Sequence, residues 1–225
     1  MWNFAVVLVV ATYAASQDIP QFRAIAKLSG PNGNINGNVT FTQLGDGKVH
    51  VYGDIVGLPG GMYGFHVHEK GDITGGCLST GPHFNPERKN HGHPSDEDRH
   101  VGDLGNVAFD ENGHAHVDFT DGQIALFGSH CILGRGLVLH ERADDYGKSD
   151  HPDSRKTGNA GGRVACGVIG ILDPSYGWND TDLGKLKGAA CHTSGSAYGN
   201  IVNACLKNLN ARYESHTMKS FDRFA

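Results

Sequence analysis

Two histidines separated by a single residue are the first feature of this sequence that could do chemistry. His66 and His68 stand in the segment GFHVHE, residues 64–69. In an extended strand, residues i and i+2 project from the same face, so both imidazoles can reach one ion while the residues between them pack the other face. Imidazole is the commonest transition-metal ligand in proteins. The pair therefore predicts a metal site.

More potential ligands follow, because six of the chain's 14 histidines lie between residues 66 and 100. The residues that can join the first pair are His83, His91, His100, Asp103 and, in a later segment, His140. Three imidazoles with one carboxylate suit Zn(II), whereas four imidazoles without thiolate suit Cu(II). Seven ligands leave two four-coordinate ions one place short. One histidine that binds both ions, one through each ring nitrogen, would supply the missing place.

The other histidines are interpreted as surface or local residues: His50, His93, His114, His116, His130, His151, His192 and His216. His114 and His116 repeat the spacing of the first pair. Because no further ligand stands near them in the sequence, we expect at most adventitious metal there.

The segments that must position these residues have the pattern of strands. From residue 22 to residue 56, short alternating runs are broken by Gly-rich turns, which predicts an antiparallel meander. Strand-like runs return in NVAFD, HAHVDFT, GLVLHE and RVACGVIGI. The pattern fails over residues 69–103 and 142–162, so we predict two long functional loops on an all-β scaffold.

Length and flanking segments indicate one domain with two appendages. The chain has 225 residues, and residues 4–15 are almost wholly apolar but too few to span a bilayer. Residues 1–16 are therefore predicted to be a secretory signal, residues 17–172 the domain, and residues 173–225 a C-terminal extension. Beyond a turn-rich linker, apolar residues at spacings of three and four predict an amphipathic helix beginning near Ser196, packed on the barrel or on a neighbouring subunit.

Charge limits the partners. A formal net charge of -5 disfavours nucleic-acid binding, which needs a surplus of Lys and Arg, and no segment favours membrane insertion. The basic residues of the extension are interleaved with acidic ones, so they give only weak support for binding a matrix polyanion.

Export would permit disulfides and glycans. The sequence has five cysteines, so one must stay unpaired or bond to another chain. Cys191 and Cys205 could close a short loop, and Cys77 lies 89 residues before Cys166, but spacing alone leaves the pairing open, including that of Cys131. Asn38 and Asn179 begin glycosylation sequons.

Four ordered segments resemble the copper,zinc superoxide dismutases: GFHVHEKGD, GPHFNP, RHVGDLGN and GNAGGRVACGVIGI. The resemblance runs from about residue 22 to residue 172. It implies an eight-stranded Greek-key β-barrel, copper and zinc as cofactors, superoxide as substrate, and a homodimer or larger homo-oligomer.

The same resemblance implies a role for individual residues. The implied copper ligands are His66, His68, His83 and His140, and the implied zinc ligands are His83, His91, His100 and Asp103. His83 would bridge the ions, and a disulfide would join Cys77 to Cys166. Arg163 would hold the anionic substrate, with Lys156 steering it, Thr157 narrowing the channel and Asp144 tying a copper ligand to a zinc ligand. Tyr63 departs from the pattern, because many members have histidine there.

The leading hypothesis is a secreted, extracellular superoxide dismutase that converts superoxide to dioxygen and hydrogen peroxide by cycling copper between Cu(II) and Cu(I). The alternative is a secreted metal-binding or self-assembling plasma protein on the same fold, with little catalysis. The extension, Cys131 and the additional histidines motivate that alternative. Retention of all seven ligands and of Arg163 favours the enzyme.

Overall fold

Eight antiparallel strands form almost all the regular structure in the computed structural model, which describes residues 22–172. The strands are β1 (Arg23–Ser29), β2 (Asn36–Gln43), β3 (Val49–Val56), β4 (Gly61–His68), β5 (Asp103–Phe109), β6 (His114–Asp121), β7 (Gly136–His140) and β8 (Arg163–Ile171). A 3₁₀ turn (Gly76–Thr80) and one short helix, α1 (Ser154–Thr157), lie in the loops. No helix within the described range is long and apolar enough to cross a membrane.

The strands form one sheet in the order β5-β4-β7-β8-β1-β2-β3-β6, which curls into a nearly closed barrel. The chain builds the meander β1-β2-β3, crosses to β4 and β5, returns through β6, and inserts β7 and β8 between β4 and β1. This is the Greek-key barrel that the resemblance implied, so the predicted fold class is confirmed.

Alternation of side chains explains how these segments become barrel strands. In β1, Ala24, Ala26 and Leu28 are fully buried, whereas their neighbours face outward. Residues at i and i+2 share a face of a strand, so each strand supplies one row to the interior. The apolar core includes Phe41, Val51 and further residues from all the strands.

Two long segments leave the barrel between β4 and β5 and between β7 and β8, as the sequence predicted. The disulfide between Cys77 and Cys166 joins the first of these segments to β8, as the resemblance implied. In the chain-entropy model, a crosslink over so long a loop stabilises the fold by about 4 to 5 kcal/mol. The disulfide therefore fixes a loop that strand pairing alone would leave free.

Several predictions concern segments outside the described residues. They are the signal at residues 1–16, the linker and helix of residues 173–225, the pairing of Cys191 and Cys205, and the sequon at Asn179.

Candidate metal centre

Adjacent strands bring the first group of ligands together. His66 and His68 lie on β4, and His140 ends β7, which pairs with β4. An isolated bridge attaches His83 to His68. One ligand atom from each of these four histidines lies within 4.8 Å of the others, and all four side chains are buried. The structure thus gathers the four residues predicted to bind copper.

A second group surrounds one carboxylate oxygen. The Nδ1 atoms of His83, His91 and His100 lie 2.9, 3.0 and 3.1 Å from Oδ1 of Asp103. Ligands of a tetrahedral zinc ion with bonds near 2.0 Å are about 3.3 Å apart. The other oxygen, Oδ2, accepts the backbone N–H groups of Gly92 and His100. Asp103 is therefore oriented with Oδ1 toward the three imidazoles.

His83 belongs to both groups. Its Nδ1 lies 3.4 Å from Nδ1 of His100 and faces Asp103. Its Nε2 is buried and has no hydrogen-bond partner among the described residues. The ring of His83 also lies 4.1 Å from that of His66. One ring therefore presents one nitrogen to each ligand group.

His66 belongs to both geometric groups as well, because its ligand atom also lies within 4.8 Å of those of His83, His91 and Asp103. The hydrogen bond of its second nitrogen shows which atom is available. Nε2 of His66 donates to Oδ2 of Asp144 at 2.9 Å, so only Nδ1 has a free lone pair. That single atom can bind only one ion.

Asp144 links the two groups. Its Oδ1 accepts a hydrogen bond from Nε2 of His91 at 2.7 Å, while its Oδ2 accepts one from His66. A carboxylate accepts and cannot donate, so both Nε2 atoms carry protons and only the Nδ1 atoms can serve as metal ligands. Asn106 of β5 hydrogen-bonds the backbone N–H and carbonyl of Asp144, which fixes the second loop on the barrel.

Backbone carbonyls set the other two rings in the opposite orientation. Nδ1 of His68 donates to the carbonyl of Gly81 at 2.7 Å, and Nδ1 of His140 donates to that of Gly161 at 3.3 Å. Each bond leaves Nε2 as the lone-pair atom, and these two Nε2 atoms lie 3.2 Å apart. Two lone pairs facing each other repel unless a cation lies between them. The geometry therefore favours a bound cation.

Unsatisfied buried atoms indicate the same. Nδ1 of His66 and Nε2 of His83 are buried without a hydrogen bond in the described part of the chain. Leaving a buried polar atom unpaired costs about 1 to 3 kcal/mol. Imidazole nitrogens and one carboxylate are ligands that copper and zinc prefer, so the residues fit these ions.

Without a metal ion, three of the histidines are neutral, whereas His91 is protonated. Burial lowers the pKa of His140 to about 4 and the pKa values of His66 and His68 well below their usual range, so all three are neutral. Burial alone would lower the pKa of His91, but the hydrogen bonds that its ring donates to Asp103 and Asp144 raise it to about 9, so binding of a metal ion at Nδ1 would release a proton. Burial would raise the pKa of Asp103, yet the three surrounding histidines hold it far below its ordinary value.

Gly158 makes room for the Asp144 bridge. Its φ of +65° lies in the left-handed region, and a Cβ placed there would lie 1.9 Å from Oδ1 of Asp144 and 2.5 Å from Nε2 of His91. Only glycine fits a backbone that approaches the two side chains so closely. This role was not predicted from the sequence, although the glycine falls in the segment GNAGGRVACGVIGI that carried the resemblance.

Arg163 starts β8 directly opposite His140. Its Nη1 donates to the carbonyl of Cys77 at 2.8 Å, to that of Leu78 at 3.2 Å and to Oγ1 of Thr80 at 2.9 Å. Burial lowers its pKa, but a guanidinium remains a cation at neutral pH. The segment held by the disulfide therefore fixes a positive charge near His140.

The remaining predicted residues lie outside the two ligand groups. Lys156 and Thr157 are exposed on α1. Tyr63 donates a hydrogen bond to the carbonyl of Pro59 and packs edge-on against the buried Phe109, so it lies on the core side of β4. The six other described histidines are in neither group.

Comparisons with known proteins agree with this geometry. A family model described as copper/zinc superoxide dismutase matches residues 35–169. The chain is 50% identical over 174 residues to an extracellular superoxide dismutase [Cu-Zn] of Drosophila melanogaster, covering 75% of this chain and 96% of the relative. It is 57% identical over 149 residues to superoxide dismutase [Cu-Zn] A of Xenopus laevis, covering 66% and 97%. The crystal structure of the clock protein EA4 matches with 72% identity and a TM-score of 0.66, covering 68% of this chain and 96% of that one.

Proposed function

The chain belongs to the copper/zinc superoxide dismutase family and is a superoxide dismutase with copper and zinc as cofactors, and from this premise we propose how its residues divide the work. Copper would be held by His66, His68, His83 and His140, with Nδ1 of His66 and Nε2 of the other three available as ligand atoms. Zinc would be held by His83, His91, His100 and Asp103, whose three Nδ1 atoms and Oδ1 lie together. When bound, copper supplies the one-electron chemistry that oxidises one superoxide to dioxygen and reduces a second to hydrogen peroxide.

The observation that carries this division is the orientation of His83. Its two ring nitrogens face different ligand groups, and neither Nε2 of His83 nor Nδ1 of His66 has another hydrogen-bond partner in the described range. If Nδ1 of His66 joins the copper group, each ion has four ligands and only His83 is shared. Placing His66 with zinc would give zinc five ligands and copper three.

His83 also gives the chain a place to hold a proton. Peroxide formation consumes two protons, and Nε2 of His83 is a buried basic atom of the copper group without a hydrogen-bond partner among the described residues. Its other nitrogen, facing Asp103, fixes the ring plane. We therefore propose that, whenever Nε2 of His83 is released from copper, it takes up a proton and delivers it to the reduced substrate, with the second proton coming from solvent.

Arg163 is proposed to attract and orient superoxide. The protein carries a formal net charge of -5, so an anionic substrate needs local positive charge to approach the site. Three hydrogen bonds from one nitrogen hold the guanidinium in place beside the end of β7. Lys156 extends the positive charge outward on α1. Consumption of superoxide should therefore slow as ionic strength rises, and Arg163→Ala should weaken that dependence.

Secretion and assembly are further proposals. Identity to a relative named extracellular supports secretion through the signal at residues 1–16. A homodimer or larger homo-oligomer, glycosylation at Asn38, which is exposed on β2, and weak attraction of the C-terminal extension to a matrix polyanion remain predictions.

The test is metal analysis together with superoxide consumption by the wild type, His140→Ala and the control His50→Ala. We expect one copper and one zinc per chain, loss of copper and activity in His140→Ala, and wild-type behaviour in the control, because the side chain of His50 contacts exposed Asp118 and Tyr52 and belongs to neither ligand group. Full copper without turnover would contradict the proposal and favour a metal-binding protein with little catalysis.

A further inference from the structure

A third cluster of side chains that could bind a metal ion lies on the outer face of β3 and β6, on strands that carry none of the ligands described above. We call it the outer histidine cluster, and it consists of Asp54, His114 and His116. None of the ligands of the candidate metal centre lies on β3 or β6.

Strand register builds the cluster. Asp54 of β3 pairs directly with His116 of β6, and Val56, two residues further along β3, pairs with His114. Residues two apart share a face, so the two imidazoles and the carboxylate all project outward. The intervening Ala115 is fully buried and Ile55 of β3 packs in the core, which fixes the orientation of both strands.

Both imidazoles already reach the same oxygen. Nδ1 of His116 lies 3.1 Å and Nε2 of His114 lies 3.2 Å from Oδ1 of Asp54. These two contacts lower the pKa of Asp54, so the carboxylate is ionised at neutral pH. Asp110, in the turn before β6, adds negative charge near His114 and accepts the backbone N–H of that residue. The field at the cluster therefore favours a cation.

We propose that the outer histidine cluster is a third, surface site for a borderline divalent cation such as Zn(II) or Cu(II). Two imidazoles and one carboxylate supply three ligands, and water completes four-coordination. The side chains are 45 to 67% exposed, so rotation about their χ angles can turn them onto one ion without disturbing the barrel. The sequence shows no further ligand near the histidine pair, because Asp54 lies 60 residues before His114. Only the pairing of β3 with β6 places Asp54 beside the two histidines.

The experiment is calorimetric titration of the fully copper- and zinc-loaded enzyme with Zn²⁺. The wild type should bind one additional equivalent. The variants Asp54→Asn and His116→Gln should bind it at least about tenfold more weakly, since each removes one of three ligands. His50→Gln is the matched control, because this histidine lies on the same face but contacts Asp118. It should keep wild-type affinity.

Thermal unfolding of each variant checks that the barrel is intact, and both substitutions lie on exposed side chains. Absence of an additional equivalent in the wild type would overturn the proposal. Equal binding by the wild type and both variants would overturn it as well, because the cation would then lie elsewhere. These results do not depend on the dismutase activity, so they separate this site from the function proposed above.

Discussion

The same short pattern, His-X-His, occurs on two strands of this barrel with opposite outcomes. On β4, His66 and His68 are covered by loops and are at most 1% exposed. On β6, the side chains of His114 and His116 are 45% and 67% exposed. Burial removes water as an alternative partner, so a buried imidazole needs either a hydrogen bond or a cation at each nitrogen. The exposed pair can be satisfied by water, which makes metal there optional.

Replacing the proposed bridge tests the buried region most severely. His83→Ala removes a ligand from both groups, so copper and zinc content should both fall and superoxide consumption should drop by about 100-fold or more, beyond the usual effect of losing an outer partner. His50→Ala, on the outer face, should retain both metals. Elemental analysis measures the copper and zinc contents, and an activity assay measures the rate of superoxide consumption. Loss of one metal alone would show that the ring does not serve both ions.

Two glycines with the same backbone conformation sharpen the comparison. Gly158 and exposed Gly128 have φ values of +65° and +78°, but a Cβ would collide with Asp144 only at Gly158 and meets nothing within 4 Å at Gly128. Gly128→Ala should cost about 1 to 2 kcal/mol from backbone strain alone. Gly158→Ala adds overpacking and should cost about 3 kcal/mol or more. Equal unfolding free energies for the two variants would contradict the proposed role of Gly158.

Asp144 and Asp118 both accept hydrogen bonds from histidines, but replacing them should change zinc affinity by different amounts. Asp144→Asn leaves the size of the side chain unchanged but replaces one of the two acceptor oxygens for His66 and His91 with an NH2 donor, so zinc affinity should fall by about 10- to 100-fold. Asp118→Asn removes an equivalent contact to exposed His50 and should leave zinc affinity unchanged. Competition with a chelator measures both variants. Unaltered zinc affinity in Asp144→Asn would show that this carboxylate does not orient the ligands.

The smallest expected effect concerns the metal-free protein. The pKa of His140 is about 4 in the fold against an ordinary value of 6.5, so the unfolded chain binds more protons between these values. This contribution to stability is present above pH 6.5 and is lost as pH falls toward 4. In denaturant unfolding of the metal-free protein, the free energy of unfolding should fall less steeply as pH decreases over this window in His140→Gln than in the wild type and in His50→Gln. An identical slope in all three would contradict the prediction.

Much of the site could be predicted because its ligands occur in short ordered segments. Alternation predicted the strands, and the His-X-His spacing predicted two imidazoles on one face. The family resemblance implied the loop ligands and the Cys77–Cys166 disulfide. The disulfide is present in the structure.

What could not be predicted depends on contacts between distant segments. The choice between Nδ1 and Nε2 in His68 and His140 is set by the carbonyls of Gly81 and Gly161, and a backbone carbonyl leaves no signal in residue type. The pairing of Asp54 with His116 depends on the register of β3 against β6. Local patterns predict neither the register nor the partner.

The most direct test of the central claim is a crystal structure of the metal-loaded protein with anomalous scattering measured at the copper and zinc edges. We predict copper on Nε2 and zinc on Nδ1 of the single His83 ring, each at about 2.0 to 2.2 Å. A fully loaded crystal in which either nitrogen of His83 contacts only water or a carboxylate would contradict the account.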